Sequence, residues 1–578
     1  MGRKPREFGA MHVVTTRRRV GEREYTNTLL RRSYREGGKV KKETLANLSR
    51  LPPEAIDAIR ATLRGEVLVA AGGAFAIERS SPAGHVQAAL VMARRLELAR
   101  LLDRQRSRER DLVLAMICQR VIAPCSKLAT VRALGQSTLA SELGVADADE
   151  DDLYEAMDWL YERQARIEDR LARRHLKEGE LVLYDVSSSY FEGRSCELAR
   201  LGYSRDQKRG TAQIIYGLLC DQPGRPIAVE VFSGELHDDK TLPSQIGKLK
   251  QRFGLERVVV VCDRGIITNA NLELLAEAAG AAWITALKAP QIKKLVKDGA
   301  LQLSLFDDLN LAEITAAQYP GERLIVCRNP LVAQDRSRKR EELLAATERG
   351  LAEIAQRVER GTLHGADQIG LAVGPALKRY RVKKHFEVKI TDTTFTWTRR
   401  HEQIEAEAAL DGIYVLRTSV LNDELDTSEV VRSYKQLEHV ERAFRTFKGP
   451  ELQIRPIHHR LEDRVRAHVF ICTLAYYLTW HLRQAWTPLL FKDEFPTTQA
   501  DPVAKASRSR SALRKAQTKR TATGERTHSY KSLLAELATL TRNTIRPAGA
   551  SATFDKLTQP TPLQAHALKL ARDAPLTT

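Results

Sequence analysis

Long apolar runs, paired cysteines and nucleotide-binding loops are all missing from this 578-residue sequence. The longest apolar run, Val469 to Trp480, is broken by two threonines and falls well short of the ~20 residues that span a bilayer. No apolar stretch follows the basic N-terminus, so no secretory signal is expected. With a mean hydropathy of −0.36, a cytoplasmic protein without membrane contact is expected. The seven cysteines (Cys118, Cys125, Cys196, Cys220, Cys262, Cys327 and Cys472) form no CxxC pair and have no zinc spacing to histidine. Most lie in apolar runs, which predicts buried reduced thiols rather than structural zinc or a disulfide framework. There is no GxxxxGK(S/T), no GxGxxG and no GxSxG around Ser187-Ser188-Ser189. Nothing therefore points to nucleotide hydrolysis, a dinucleotide cofactor or a serine nucleophile.

Positive charge is what the chain has in excess. Net charge is +19, and residues 1–50 carry +9 while residues 501–530 carry +6, leaving +4 for the remaining 498. Basic ends on a near-neutral body suit a polyanion such as DNA, because each neutralised phosphate releases counterions. Two solvated tails are the alternative.

Length and pattern predict several units. Residues 1–105 form a basic N-terminal region, with a strand at Tyr25–Tyr34, a Gly37-Gly38 turn and a helix opening at Pro52-Pro53. Residues 106–179 read as helical and DNA-binding; Asp111–Gly144 fits a helix-turn-helix or ordinary turn-joined helices. A core follows in two parts, 180–290 and 411–485, separated by an insertion at 291–410. A basic, partly disordered tail covers 486–578, with one amphipathic helix near 529–542. In the first core part, Leu181–Val186, Gln213–Cys220 and Pro226–Phe232 read as a strand meander whose last two members are joined by Asp221-Gln222-Pro223-Gly224-Arg225. The helix Lys240–Phe253, the strand Val258–Cys262, the helix Asn269–Ala279 and the strand Ala282–Leu287 complete a βββαβαβ order. The fold class is α/β, a mixed sheet with flanking helices. After the insertion, Gly412–Thr418 is a strand, Ser428–Lys448 a helix with Ser428 as N-cap, and 462–483 a second helix.

Two aspartates stand out by placement. Asp185 lies inside an apolar strand and Asp263 ends one, and an ionised carboxylate there needs compensation. A buried salt bridge, a turn cap or a metal ion would each supply it. If the two strands are neighbours, both carboxylates reach one edge of the sheet, where hard oxygen ligands suit Mg²⁺ or Mn²⁺. On a helix at ~100° per residue, with Leu437 at zero, Val430, Val440, Phe444 and Phe447 form a buried stripe. Tyr434, Glu441 and Lys448 then stack at about +60°, +40° and +20° along its edge. This aligns a carboxylate ligand with a hydroxyl and an ammonium for phosphate oxygens. The alternative for Glu441 is a helix-edge acid paired to Arg445. His458-His459 and His468 have no third metal ligand and are assigned to packing or capping.

At these residues the sequence resembles the DDE transposases of bacterial insertion sequences, and more closely the branch with the signature Tyr-x2-Arg-x3-Glu-x6-Lys. Here that signature reads Tyr434, Leu437, Glu441 and Lys448, with leucine in place of the arginine; Arg445 or Arg442 could supply the cation instead. The strings Asp185-Val-Ser-Ser-Ser-Tyr-Phe-Glu192, Gly202-Tyr-Ser-Arg-Asp206, Val260-Val-Cys-Asp-Arg-Gly265 and Arg455-Pro-Ile-His-His-Arg460 through His468 are also similar to this branch. The resemblance extends over about 110–485.

The resemblance implies an RNase H-like core in which Asp185, Asp263 and Glu441 hold two Mg²⁺ ions, with Mn²⁺ as substitute. It implies an inserted domain in the 178-residue gap between Asp263 and Glu441, and cleavage at element ends followed by strand transfer. Tyr434, Lys448, Arg445, Arg264, Arg205, Lys208 and Arg209 are the expected DNA contacts; for Arg264 a salt bridge and for the 205–209 loop simple solvation are the alternatives. The partners implied are terminal inverted repeats and target DNA, with a homodimer in the DNA complex. A nuclease or resolvase without strand transfer, or a DNA-binding protein without catalysis, are the competing functions.

Overall fold

The computed structural model describes residues 10–66, 74–302, 306, 310–491, 501–504, 506–548 and 550–576. The chain divides into two compact units, one of residues 1–81 with 542–558, the other of residues 82–541 with 559–578.

The smaller unit is built on antiparallel strands. β1 (Met11–Val20), β2 (Arg23–Glu36) and β3 (Lys39–Asn47) form a meander. Gly37 and Gly38 turn β2 into β3 with φ of +60° and +81°, the left-handed pair that a tight hairpin needs. A helix, Pro53–Leu63, follows, and β4 (Phe75–Pro82) pairs with the strand Thr541–Pro547. Where one strand was expected there are three. Arg17-Arg18-Arg19 and Lys39 to Lys42 therefore lie on a sheet and not on a tail, with Arg32–Glu43 and Lys41–Glu36 pairs at 2.6 and 2.7 Å. Charged strands with little apolar alternation hide from a periodicity reading.

The larger unit centres on an eight-stranded sheet. β5 (Leu181–Tyr190), β6 (Gln213–Asp221) and β7 (Pro226–Ser233) are the antiparallel meander. β8 (Val258–Cys262) lies parallel to β5, and β9 (Ala281–Ala286) parallel to β8. The sheet does not stop there. β10 (Leu311–Ile314) and β11 (Arg323–Arg328) rejoin it from within the segment read as an interruption, giving the order β10-β11-β14-β9-β8-β5-β6-β7 with β14 (Ile413–Thr418). The alternation along β11 explains this: Ile325 and Cys327 enter the main core while Leu324 and Val326 face Ile292 and Leu295 of the helix Ala289–Lys297. Between β11 and β14, the helices Pro330–Glu359 and Ala366–Arg379 and the hairpin of β12 (Phe386–Ile390) and β13 (Phe395–Arg399) share a small core that includes Leu344, Leu351, Ile369 and Phe395.

Helices cover the sheet. The helix Glu462–Trp486 is buried from Val465 to Leu482 along nearly every turn, which is where the apolar run Val469–Trp480 goes. Among the described residues no single helix is long and apolar enough to cross a membrane. The first helix of the candidate helix-turn-helix, Arg108–Ile122, is buried from Asp111 to Val121 and packs into the same core. All seven cysteines are free thiols, five of them buried.

The C-terminal segment is no tail. Helices Arg510–Thr518, Tyr530–Ala538 and Pro562–Asp573 are ordered. Ala567 and Ala571 sit in the main core, and Trp486 Nε1 donates to the Ala567 carbonyl at 2.9 Å. Small alanines spaced four apart gave little apolar signal in the sequence, yet they allow close helix packing. Part of the expected disorder, at 492–500 and 505, lies outside the described residues.

Candidate active site

Register brings the two aspartates together. β5 and β8 pair in parallel with Tyr184 opposite Cys262, so Asp185 on β5 and Asp263, the first residue past the end of β8, come next, at the same sheet edge. The β-branched run Val258–Val261 is fully buried and fixes β8 in the middle of the sheet.

Glu441 arrives from above. Its helix, Leu437–Lys448, buries Leu437, Val440, Phe444 and Phe447, and Phe444 and Phe447 pack on Tyr216 of β6 with centroids at 5.6 and 6.3 Å. One turn before Phe444, Glu441 is left exposed over the strand edge. The β6–β7 turn braces the same helix. Gly224, at φ +91°, would put a Cβ 2.6 Å from the His439 Cβ, so only glycine allows this approach. His439 Nδ1 meets the Gln222 carbonyl at 3.1 Å.

The expected single helix over 428–448 is two. One spans Thr427–Lys435 and the next starts at Leu437, with Gln436 between them. The N-cap is Asp426, in a capping box with Glu429, and not Ser428; an aspartate followed three residues on by glutamate satisfies two backbone donors at once. Because of the break, Tyr434 does not share a helix with Glu441 and Lys448. Its hydroxyl still reaches the site, donating to Asp263 Oδ1 at 3.3 Å.

Asp185, Asp263, Glu441, Arg445 and Lys448 line one cleft of about 570 Å³, with Arg205 and Asp238 in its wall. Burial, and then the neighbouring carboxylates Asp263 and Glu441, push the Asp185 carboxyl up to about 7; the Val186 N–H and Arg205 oppose this. The Val186 N–H donates to Asp185 Oδ1 at 2.8 Å, and the Arg264 N–H to Asp263 Oδ1 at 2.8 Å. Among the described residues Glu441 has neither a hydrogen bond nor an ion pair, so the helix-edge pairing to Arg445 does not form. Among the described residues, also, no three His, Cys, Asp or Glu side chains are drawn together as a closed metal-ligand set. The three carboxylates share the cleft without converging.

The cations divide into two groups. Arg205 is ion-paired to Asp238. Lys448 and Arg455 share the buried Asp206, at 3.0 and 3.3 Å. Lys208 stands over the Tyr190 ring at 3.7 Å, with Arg455 also on Tyr190 at 4.6 Å. Arg264, Arg445 and Arg209 are exposed, and among the described residues they have no ion pair. Asp206 and Asp238 hold the expected phosphate-binding cations, and sequence reasoning did not single them out as site residues. The signal for Asp206 was its place in Gly202–Asp206; for Asp238 there was none beyond a pair of acids. Ser188 Oγ accepts from the Arg205 N–H at 3.2 Å and Ser189 Oγ meets the Tyr216 hydroxyl at 3.0 Å, so the serine run anchors the strand and its flanking loop.

Residues 178–478 match the model described as Transposase DDE domain, and residues 12–71 match the IS1634 family transposase, N-terminal domain. No curated protein matches. Among solved structures, a cryo-EM structure of the piggyBac transposase synaptic complex with hairpin DNA is similar at 10% identity and a TM-score of 0.33, covering 78% of this chain and 76% of that one. The Transposase DDE domain match takes in more than half of the chain, including both aspartates and the helix that carries Glu441. The chain belongs to the DDE transposase family, and it is a DNA transposase.

Proposed function

We propose that the larger unit is an RNase H-like core that cuts DNA at the ends of its own element and joins those ends to target DNA, with Asp185, Asp263 and Glu441 as the catalytic acids. The observation that carries this is the pairing of β5 with β8, which sets two carboxylates side by side beneath a third in one cleft.

The donor chemistry fits two Mg²⁺ ions, with Mn²⁺ as substitute. Three carboxylates supply hard oxygen ligands, and the Asp185 carboxyl, held up to about 7 by burial and its acidic neighbours, would be relieved by a cation. Glu441, exposed and unbonded, is free to rotate toward the aspartates. Bound there, divalent ions would supply an activated water or 3′-hydroxyl and a stabilised leaving oxygen.

The rest of the chemistry belongs to this chain. Tyr434 orients Asp263 through its hydroxyl. Asp206 fixes Lys448 and Arg455 beside the cleft, and Asp238 fixes Arg205. Arg264 and Arg445, both exposed, take backbone phosphates, and Lys208 and Arg209 extend that contact along the loop; such contacts position DNA without reading sequence. The segment between β11 and β14 with its own small core is an inserted domain, and the basic sheet β1–β3 is a DNA-binding region. Two element ends must be paired, so the DNA complex contains a homodimer. The protein works on DNA in the cytoplasm.

The test is a duplex carrying the terminal repeat that flanks the gene, incubated with the protein and Mg²⁺ or Mn²⁺, and scored for cleavage at the repeat boundary and for joining to a second duplex. Wild-type protein should do both, and Asp185→Ala, Asp263→Ala and Glu441→Ala neither. Cutting without joining would reduce the function to a nuclease. Binding without cutting, unchanged by the substitutions, would leave a DNA-binding protein.

A further inference from the structure

A second cavity, of about 510 Å³, opens where the helix Lys127–Leu134 meets the segment 456–461. Its lining includes Lys127, Tyr154, His458, His459, Arg460 and Arg464, and no carboxylate. Lys127 is 5% exposed, and its ammonium has one hydrogen-bond partner among the described residues, His468 Nδ1 at 3.4 Å. His468 Nε2 lies 2.8 Å from the Ile454 carbonyl. A carbonyl only accepts, so Nε2 carries the proton and Nδ1 is a neutral acceptor. Among the described residues the other two N–H bonds of Lys127 have no hydrogen-bond acceptor.

No carboxylate lines the cavity to offset the charge, and the thiols of Cys472 and Cys125 favour it only weakly. Arg120, also 5% exposed, is satisfied by the Leu452 and Gln453 carbonyls at 3.3 and 3.0 Å and adds a second buried cation. Arg464 is engaged by Asp158 at 2.8 Å, outside the cavity lining. Burial, and then Arg120, bring the Lys127 amine down to about 7. Burial also holds His459 down to about 3, with Lys127, Arg464 and Arg120 adding to it. The cavity further receives the N-terminus of the Lys127–Leu134 helix, capped by Ser126, whose first-turn N–H groups favour an anion. A buried ammonium without an anion is expensive to maintain, and the charged side chains that line this cavity, Lys127, Arg460 and Arg464, are all cationic.

We propose that this cavity is a phosphate-binding pocket, distinct from the carboxylate cleft, and that it seats a backbone phosphate of the DNA on which the cleft acts. The second half rests on the function proposed above. Position supports it. Arg455 shares Asp206 with Lys448, which lines the cleft, and His459, four residues on, lines the pocket. Four residues span at most ~14 Å, which is about four base-pair steps of B-DNA. A phosphate in the pocket thus belongs to the same DNA segment as one in the cleft.

The test uses the full chain with two probes, inorganic phosphate by calorimetry and the terminal-repeat duplex by fluorescence anisotropy over a salt series. Two variants are compared with wild type: Lys127→Met, and His458→Ala/Arg460→Ala, whose side chains are exposed and dispensable for folding. Wild type should bind phosphate at one site. Lys127→Met should weaken it at least tenfold while raising Tm, a combination that a structural lysine would not give, and the double variant should weaken it several-fold. For the duplex, Lys127→Met should flatten the plot of log affinity against log salt by about 0.9, one phosphate contact. Wild type that binds no phosphate, or variants that bind it equally well, overturn the pocket. Phosphate binding lost with the duplex salt slope unchanged overturns the DNA half and leaves a site for a free phosphate. A duplex that fails to bind any of the proteins counts against the proposed function, while the phosphate titration still decides the pocket.

Discussion

The Tyr434 hydroxyl donates to Asp263 Oδ1 at 3.3 Å across a helix break, from a helix that ends one residue later. The tyrosine thus aims one oxygen of Asp263 and leaves the other open. Burial, and then the Asp263 charge, hold the Tyr434 phenol well above its usual range, so it stays a donor at any working pH. Tyr434→Phe should cut the rate of end cleavage about fivefold, equivalent to ~1 kcal/mol for one hydrogen bond, with Tm nearly unchanged. Single-turnover cleavage alongside a melting curve checks this, and a fall in Tm with no loss of rate would make the tyrosine a packing residue only.

Asp185 makes stability depend on pH in an unusual sense. Burial, and then the charges of Asp263 and Glu441, push its carboxyl up to about 7 in the fold, from the 3.8 of an unperturbed aspartate. Between those values the native state holds a proton that the unfolded state has released, so metal-free stability falls as pH rises through this window and the loss is complete above about 7. Asp185→Asn should match wild type near pH 4 and melt higher at pH 8. Added Mg²⁺ should raise the wild-type Tm at pH 8 and leave the variant's almost unmoved. Equal pH profiles for the two proteins would show that the carboxyl is not strained by burial.

Asp221 and Arg225 close the β6–β7 turn inside the protein, at 1% and 4% side-chain exposure, with Asp221 Oδ2 accepting from Arg225 Nε at 2.5 Å. Asp221→Ala removes the carboxylate from a buried guanidinium and should cost about 3–5 kcal/mol in denaturant unfolding. The turn braces the Glu441 helix through Gly224 and His439, so cleavage should fall as well. A loss under about 1 kcal/mol would mean that the arginine finds water.

Leu437 is the one departure from the signature, and it is 8% exposed on the buried face of its helix. Leu437→Arg restores the signature residue yet puts a cation against Val440 and Phe444, so Tm should drop and cleavage should not improve. Higher activity at equal Tm would show that the guanidinium reaches the cleft.

The placement of Asp185 and Asp263 at one sheet edge was legible because polar residues in apolar strands are costly and conspicuous. The apolar runs at 258–262 and 412–418 gave their strands to within a residue, while the run at 181–186 gave only the first part of a strand that continues through the serines to Tyr190. The approach of Tyr434 to the carboxylates was legible but not its mount, since the wheel assumed an unbroken helix and nothing in Lys435-Gln436-Leu437 announces a break. What stayed hidden was long-range. Asp206 and Asp238 hold cations distant in sequence, the charged strands β1 and β3 have no apolar alternation, and the last helix enters the core on alanines.

That last helix has a consequence for how the protein is made. The core of the larger unit runs from Val86 to Ala571, so about 485 residues separate its first and last contributors. At 5–20 residues per second of synthesis, the cavity awaiting Ala567 and Ala571 stays unfilled for roughly half a minute to a minute and a half. During that interval the apolar Glu462–Trp486 helix emerges with one flank bare. Nascent chains should depend on a holding chaperone until the helix Pro562–Asp573 has emerged, and a stop codon placed just before Pro562 should yield a protein that is degraded rather than merely shortened.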